Sequence, residues 1–196
     1  MKRIGLVLLT VTLAAGICTA QGVPKPFDLY LGGGLSFGSA PQEFTDFHKE
    51  GYHLAAAIGF NAMPLLQVVG RVEYHSFSKD LDEFMPDVDD LTGGTRRLLM
   101  FGVEGRLKAG IPTAPIRPYL LGGIGLARLS ESDFKTAAFI ILDEYEDETD
   151  FFFHAGGGLE FKAMVMFNLF VEGRYVNIKQ TGDNLVFIPI SVGLKF

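Results

Sequence analysis

Residues 184–196, NLVFIPISVGLKF, decide the fold class because they carry one unbroken apolar face. Every second residue from Val186 to Phe196 is apolar, whereas the opposite face includes Ser191 and Lys195. Side chains alternate between the two faces of a β-strand, so a repeat of two predicts a strand. A strand of this kind that ends on an aromatic residue suits a sheet whose outer surface contacts lipid.

The first 20 residues have the pattern of a secretory signal peptide. Lys2 and Arg3 precede an apolar run, and the small residue Ala20 ends the segment. The run is shorter than the roughly 20 apolar residues that a spanning helix needs, so we expect cleavage after Ala20. The sequence therefore predicts a signal peptide at 1–20 and one domain at 21–196.

Removal of the signal peptide narrows the possible functions. The formal charge falls from -6 to -8 with the loss of Lys2 and Arg3, and such an acidic chain is a poor partner for nucleic acid. The only cysteine, Cys18, is also lost, which excludes a disulfide and a catalytic cysteine. No later segment is long and apolar enough for a transmembrane helix. A membrane-spanning domain must then be a closed β-barrel, since lipid does not tolerate open sheet edges.

Eight segments with a repeat of two follow one another, and the fifth is the least clear. The predicted strands span 27–38, 51–62, 66–78, 96–110, 116–129, 150–162, 166–178 and 184–196. Their connections alternate between long or polar loops and tight turns, an asymmetry typical of outer-membrane barrels. With an even number of strands, both termini lie at the rim with the short turns, which we expect to be periplasmic.

The composition of the two strand faces distinguishes a membrane barrel from a soluble one. One face is large and apolar, while the other consists of glycine, alanine, serine and charged residues. A soluble barrel packs its large apolar residues inwards, and glycines such as Gly59 and Gly158 cannot build that core. The sequence therefore predicts an apolar outside, a polar inside and aromatic girdles at both rims, rather than a lipocalin-like barrel.

Four segments resemble the OmpA/OmpX-like superfamily of outer-membrane β-barrels. They are RPYLLGGIGLARL (117–129), FHAGGGLEF (153–161), FVEGRYVNI (170–178) and PISVGLKF (189–196). The resemblance implies an all-β, eight-stranded antiparallel up-and-down transmembrane barrel, monomeric, in the outer membrane of a Gram-negative bacterium. It also implies that the barrel assembly machinery reads Phe196. Relatives serve as structural proteins, adhesins, invasion or serum-resistance factors and, less often, narrow pores.

Charged residues recur on the inward face of four predicted strands. They are Arg71, Glu73, Glu104, Arg106, Lys108, Glu160, Lys162, Glu172 and Arg174. Buried charges need partners, and both signs are nearly balanced, so we expect an ion-pair network that fills the lumen. An enzyme would use Glu104, Glu160 or Glu172 as acid or base. His75 or His154 would assist, but no nucleophile is grouped with a base. We therefore expect no catalytic, cofactor or metal site.

Two predicted loops are acidic, at 80–90 (DLDEFMPDVDD) and 143–150 (DEYEDETD). Neither has the ligand spacing of an EF-hand, so solvated extracellular loops are the simpler interpretation. The functional interpretation is divalent-cation bridging to lipopolysaccharide, or contact with an extracellular partner. The adjacent apolar stretch 137–142 (AAFIIL) either extends two strands above the membrane or forms an exposed adhesive edge.

Together these observations predict a non-enzymatic outer-membrane barrel with a structural or adhesion-like role. A narrow porin or small-solute channel is the alternative, and an outer-membrane enzyme with a barrel-borne site is the third hypothesis. The expected partners are outer-membrane lipid and lipopolysaccharide, the assembly machinery during biogenesis, and an extracellular partner for the loops. Nucleic acid is not expected.

Overall fold

The computed structural model describes residues 26–47, 50–78, 95–109, 114–131, 134–135, 140–141, 148–164 and 166–196. Eight strands form a closed antiparallel barrel. They are β1 (Phe27–Ala40), β2 (Gly51–Asn61), β3 (Leu66–Phe77), β4 (Arg96–Lys108), β5 (Ile116–Glu131), β8 (Glu148–Lys162), β9 (Asn168–Lys179) and β10 (Leu185–Lys195). The predicted fold class is confirmed, and each predicted strand end lies within two residues of the observed one.

Three further elements lie in the described parts of the connections. A six-residue helix, α1 (Gln42–Phe47), follows β1, and the short strands β6 (Phe134–Lys135) and β7 (Ile140–Ile141) pair with each other between β5 and β8. Ile140 and Ile141, the described part of the stretch 137–142, thus belong to a separate two-stranded sheet rather than to the barrel strands. The signal peptide and most of the acidic stretches 80–90 and 143–150 lie outside the described residues. No helix in the described part of the chain is long and apolar enough to cross a membrane.

The barrel closes where the first strand pairs with the last. Each strand pairs with its neighbour in the chain order, and Leu35 of β1 lies opposite Ile190 of β10. Connections 62–65, 109–115 and 163–167 lie at one end, which we call the short-turn rim. Connections 41–50, 78–95, 132–147 and 180–184 lie at the other end, the long-loop rim. Both barrel ends, Phe27 and Lys195, lie at the short-turn rim, as the sequence predicts.

Large apolar side chains cover the outside of the barrel. Leu120 is 67% exposed and Leu54 is 63% exposed, and similar residues recur at alternate positions of every barrel strand. In water such a surface would be unfavourable at about 25 cal/mol per Å² of apolar area, so it requires lipid around it. Aromatic residues lie outwards near both rims: the rings of Phe27 and Phe60 are 5.5 Å apart at the short-turn rim, and Tyr52 is exposed at the long-loop rim.

The interior is not polar along its whole length, because buried apolar side chains prevail towards the long-loop rim. The prediction of a polar interior is wrong for the long-loop half, where eleven buried apolar residues form one cluster. They are Phe44, Phe77, Leu98, Met100, Ala127, Leu129, Phe152, Val176, Ile178, Leu185 and Phe187. The cluster forms because the inward alternate positions become apolar towards that rim. The α1 side chain of Phe44 completes it, with its ring 5.2 Å from that of Phe77. We call this group the apolar cluster.

Candidate functional site: the filled lumen

Four charged residues form a closed set of ion pairs at the short-turn end of the lumen. Lys195 Nζ lies 3.2 Å from Asp28 Oδ2 and 3.0 Å from Glu160 Oε2. Lys108 Nζ lies 3.6 Å from the same Asp28 oxygen and 3.4 Å from Glu160 Oε1. Each cation therefore bridges both carboxylates, and the four charges cancel. We call this group the rim cluster.

Neutral hydrogen-bonding groups surround the rim cluster. The Tyr30 hydroxyl donates to Gln67 Oε1 at 2.7 Å, and Gln67 Nε2 donates to Asp28 Oδ2 at 2.7 Å. Asn61 Nδ2 donates to the same Asp28 oxygen at 3.2 Å. Hydrogen bonds of this kind satisfy the remaining lone pairs of a buried carboxylate, without which a buried ion pair is costly.

Three arginines and three glutamates form a second set at the centre of the lumen, which we call the central cluster. Its members are Arg71, Glu73, Glu104, Arg106, Glu172 and Arg174, and all are buried. Arg71 is the hub: its guanidinium lies 3.2 Å from Glu73, 3.0 Å from Glu104 and 2.9 Å from Glu172. Together with the contacts of Arg106 and Arg174, every carboxylate in the cluster contacts at least two arginines. The net charge of the cluster is again zero.

Each of the other two arginines bridges Glu172 and one further carboxylate, and Arg174 Nε lies 3.1 Å from Glu172 Oε1. Arg106 Nε lies 2.6 Å from Glu104 Oε1, and its Nη2 lies 3.0 Å from Glu172 Oε2. Arg174 holds Glu73 with two parallel hydrogen bonds, Nη1 to Oε2 at 2.9 Å and Nη2 to Oε1 at 2.5 Å. Such bidentate, charge-assisted bonds are the stronger and geometrically more specific kind.

Aromatic rings join the two charged clusters. The guanidinium carbon of Arg106 lies 4.4 Å from the centre of the Tyr30 ring and 5.1 Å from that of Tyr119. The Tyr119 hydroxyl donates to Glu172 Oε2 at 2.8 Å. A cation over the face of a desolvated ring is stabilised by about 2 kcal/mol. The polar filling is therefore continuous from the rim cluster to the central cluster.

Inward glycines make room for these bulky side chains. A Cβ on Gly158 would lie 2.5 Å from the Tyr119 hydroxyl, and a Cβ on Gly123 would overlap the ring of His154. Both glycines lie inside strands, where glycine costs about 0.5–1 kcal/mol relative to alanine. Glycine is nevertheless required at both positions, because a side chain of the neighbouring strand occupies the space that a Cβ would fill.

A layer of serine and histidine separates the central cluster from the apolar cluster. Ser36 Oγ lies 3.0 Å from Nδ1 of both His53 and His75, and His53 Nε2 lies 2.8 Å from Ser191 Oγ. His75 Nε2 faces Glu73 Oε2 at 3.7 Å. Five polar groups thus form one transverse chain, which runs from the central cluster to β10.

The structure brings together eight of the nine predicted lumen residues, and Lys162 is the exception. Lys162 lies at the exposed end of β8 at the short-turn rim, beyond the closed part of the lumen, so its inclusion in the network is wrong. Glu160 is paired instead by Lys195 and Lys108. The prediction also missed Asp28, which faces inwards two positions before Tyr30.

A count of the charges in the predicted network could have indicated that an anion, Asp28, was missing. The predicted set holds five cations and four anions, whereas the fully buried charged residues of the described lumen number five of each once Lys195 replaces Lys162 and Asp28 is added. From the sequence, His75 and His154 could either line the pore or be solvated. Both are buried in the structure, and Arg174 Nη1 lies 3.4 Å from His154 Nδ1.

Phe196 lies beside the closing pair of strands. Its backbone N–H donates to the Leu29 carbonyl at 2.9 Å, and the Leu29 N–H donates to the Phe196 carbonyl at 3.2 Å. Its ring centre lies 6.3 Å from that of Phe167. The backbone pairing between the ends of the barrel thus extends to Phe196, whose role as an assembly signal stays a prediction.

The site offers little for catalysis or metal binding. In the described residues, no group of three or more histidine, cysteine, aspartate or glutamate side chains is placed to hold a metal ion. The Ser36 hydroxyl contacts two histidines, but Ser36 is 0% exposed and is covered by the lumen filling. The arrangement can hold charge, exclude water and stiffen the barrel.

An apolar exterior around a filled lumen defines an eight-stranded transmembrane barrel. The sequence agrees with that class: residues 7–196 match the family model described as the outer membrane protein beta-barrel domain, and the chain belongs to this family. The protein is thus an outer-membrane β-barrel, which confirms the OmpA/OmpX-like resemblance and places the chain in the outer membrane.

Solved structures with the same fold come from several bacteria. Neisserial surface protein A (NspA) has a TM-score of 0.60 at 14% identity, over 89% of this chain and 98% of that one. A major outer membrane protein from Thermus thermophilus has a TM-score of 0.54 at 10% identity, over 87% and 98%. Ail, the attachment invasion locus protein of Yersinia pestis, has a TM-score of 0.51 at 12% identity, over 87% and 97%. At these identities the likeness shows the fold. Among curated proteins, none matches the sequence.

Proposed function

We propose that this protein is a closed, non-conducting and non-enzymatic outer-membrane barrel that acts as a structural or adhesion-like component of the cell surface. The observation that carries the proposal is the continuous filling of the lumen. The rim cluster, the central cluster, the serine–histidine layer and the apolar cluster follow one another from the short-turn rim to the long-loop rim.

The filling supports closure for two physical reasons. An eight-stranded barrel leaves an interior only wide enough for side chains to fill it. The ten charged groups of the two clusters are paired and sum to zero net charge, so a permeating ion would gain no net attraction and would have to break paired charges. Phe44 closes the outer mouth, because it is buried against Phe77 and lies under the guanidinium of Arg96, which is 5.7 Å from its ring centre.

The position of the long connections supports the proposed role at the cell surface. The two longest connections, 78–95 and 132–147, both belong to the long-loop rim. If the lumen is closed, these connections are the segments with which another molecule can interact. Ail, which shares the fold, is named an attachment invasion locus protein, and it provides a precedent for this use of the fold.

Planar-bilayer recording tests closure directly. The purified wild-type protein should give no conductance steps above those of the bare bilayer, whereas a wide porin inserted under the same conditions provides the positive control. Steady conductance of the folded protein would refute closure and favour the porin hypothesis.

The surface role is tested by measuring the adherence of bacteria that carry the protein in their outer membrane. Replacement of the acidic residues of 80–90 by asparagine and glutamine should lower adherence to host cells or matrix while the amount of folded barrel stays the same. Unchanged adherence in this variant and in a matching variant of 143–150 would leave only the structural role.

A further inference from the structure

Two cations on the inward side of the barrel wall lie at the short-turn rim, outside the rim cluster. Arg117 of β5 has the strand phase of the buried Tyr119, and Lys162 of β8 has the phase of the buried Glu160. The ion pairs of the rim cluster use Lys108 and Lys195, and neither Arg117 nor Lys162 forms an ion pair with a described residue. We call Arg117 and Lys162 the basic pair.

The strand register places the two cations of the basic pair beside each other. Arg117 lies opposite Glu160, and Lys162 follows Glu160 by two positions on the same face. Arg117 and Lys162 are therefore diagonal neighbours with Cα atoms about 7–8 Å apart, a separation that long side chains can bridge. Asn168 lies opposite Lys162 and also opposite Lys195. The basic pair thus continues, through Asn168, into a row that reaches the rim cluster.

The short-turn rim has no acidic side chain left to neutralise the basic pair. Both carboxylates of the rim cluster are already bridged by its two lysines. The three short connections, 62–65, 109–115 and 163–167, contain no aspartate or glutamate. The rim cluster and the basic pair together therefore hold four cations and two anions, a surplus of two positive charges. A surplus of one sign at the mouth of a barrel attracts ions of the opposite sign.

Arg117 also has a hydrogen-bond donor that needs an acceptor. Its Nε is buried and has no hydrogen-bond partner among the described residues. A buried donor without an acceptor has lost its hydration without compensation, so an oxygen ligand at this position is favourable. A guanidinium group donates from Nε and a terminal nitrogen in a fixed fork, which matches two oxygens of a phosphate group.

We propose that the basic pair binds a soluble phosphate, either inorganic phosphate or a phosphate monoester, at the short-turn mouth of the barrel. Such a group carries about 1.5–2 negative charges at pH 7, which matches the surplus of two positive charges. A carboxylate carries a single charge and leaves one cation uncompensated. Arg117 holds two phosphate oxygens, and Lys162 contacts a third. The site goes beyond the proposed function, because it lies outside the rim cluster and does not depend on whether the lumen conducts.

The test is a titration of the folded protein followed by nuclear magnetic resonance. The protein is held in micelles of a maltoside detergent, which contains no phosphate, and the probe is inorganic phosphate at pH 7. The reporters are the Nε–H group of Arg117 and the side-chain amide of Asn168. The test variants are Arg117→Ala and Lys162→Ala. The matched control is Lys179→Ala, which removes an exposed cation from the long-loop rim.

Wild type and the Lys179→Ala control should show the same saturable shift of both reporters. Each test variant should bind phosphate about fivefold more weakly, the effect of the loss of one exposed charge contact. Acetate should bind more weakly than phosphate, and chloride at the same ionic strength should give no saturable shift. Heat-modifiable gel mobility and circular dichroism confirm the folding of each variant.

Four results would overturn the proposal. They are the absence of a saturable shift in the wild type, equal shifts from chloride, wild-type affinity in both test variants, and a shift with phosphatidylglycerol in the micelles but none with inorganic phosphate. The last result would assign the basic pair to a lipid headgroup instead of a soluble ligand. None of these results changes the planar-bilayer recording, so failure of this site and failure of the closed-barrel function remain distinguishable.

Discussion

Replacement of Arg106 by alanine is the most informative perturbation of the lumen. Arg106 is 0% exposed, and its guanidinium contacts Glu104 at 2.6 Å and Glu172 at 3.0 Å. It also lies between the rings of Tyr30 and Tyr119. Alanine would remove both ion pairs and both ring contacts, and it would leave the central cluster with three carboxylates and two cations.

The expected loss of unfolding free energy follows from these contacts. Removal of one partner of a buried ion pair costs about 3–5 kcal/mol, because the other charge stays buried without its full compensation. Glu104 and Glu172 both keep Arg71, at 3.0 Å and 2.9 Å, so the lower end of that range, about 3 kcal/mol, is expected for Arg106→Ala. The Lys162→Ala control should change the free energy by no more than about 0.5 kcal/mol, since its side chain is exposed.

Urea unfolding of the barrel in lipid vesicles measures this difference. The chain contains no tryptophan, so far-ultraviolet circular dichroism and heat-modifiable gel mobility are suitable measurements. The double variant Glu104→Gln/Arg106→Ala should lose less than the sum of its two single variants, because the two residues form one pair. An Arg106→Ala barrel as stable as the Lys162→Ala barrel would refute the idea that the central cluster stabilises the fold.

Three further predictions follow from the same geometry. Gly158→Ala should destabilise the barrel by about 1–3 kcal/mol, because the added Cβ would lie 2.5 Å from the Tyr119 hydroxyl. Gly173→Ala should be neutral or slightly stabilising, because a Cβ there meets nothing within 4 Å. Equal urea midpoints for the two variants would contradict this prediction. Neutral His75 should carry its proton on Nε2, which faces the Glu73 carboxylate at 3.7 Å, and nitrogen chemical shifts showing a protonated Nδ1 would exclude that tautomer. Deletion of Phe196 should lower the amount of folded barrel in outer-membrane fractions more than it lowers the stability of the folded molecules, as gel mobility and urea unfolding would show; an unchanged folded yield would rule out a role for Phe196 in assembly.

The alternation of residue types was sufficient to predict the barrel. A repeat of two is a local property, because successive side chains of any strand point to opposite faces. The positions of the eight strands, the lipid-facing side and the inward direction of Arg106 or Glu172 all follow from it. The same alternation would also have indicated the apolar cluster, since Leu98 and Met100 share the inward phase of Glu104.

The partners inside the lumen were decided by closure and register, which bring together residues far apart in sequence. Asp28 meets Lys195 because β1 pairs with β10, and Arg174 meets Glu73 across the lumen. Lys162 has the inward phase of Glu160 yet stays outside the network, because β8 ends there at the rim. A strand pattern fixes which way a side chain points. Its height in the closed barrel, and therefore the charge that it meets, depends on the pairing of all eight strands.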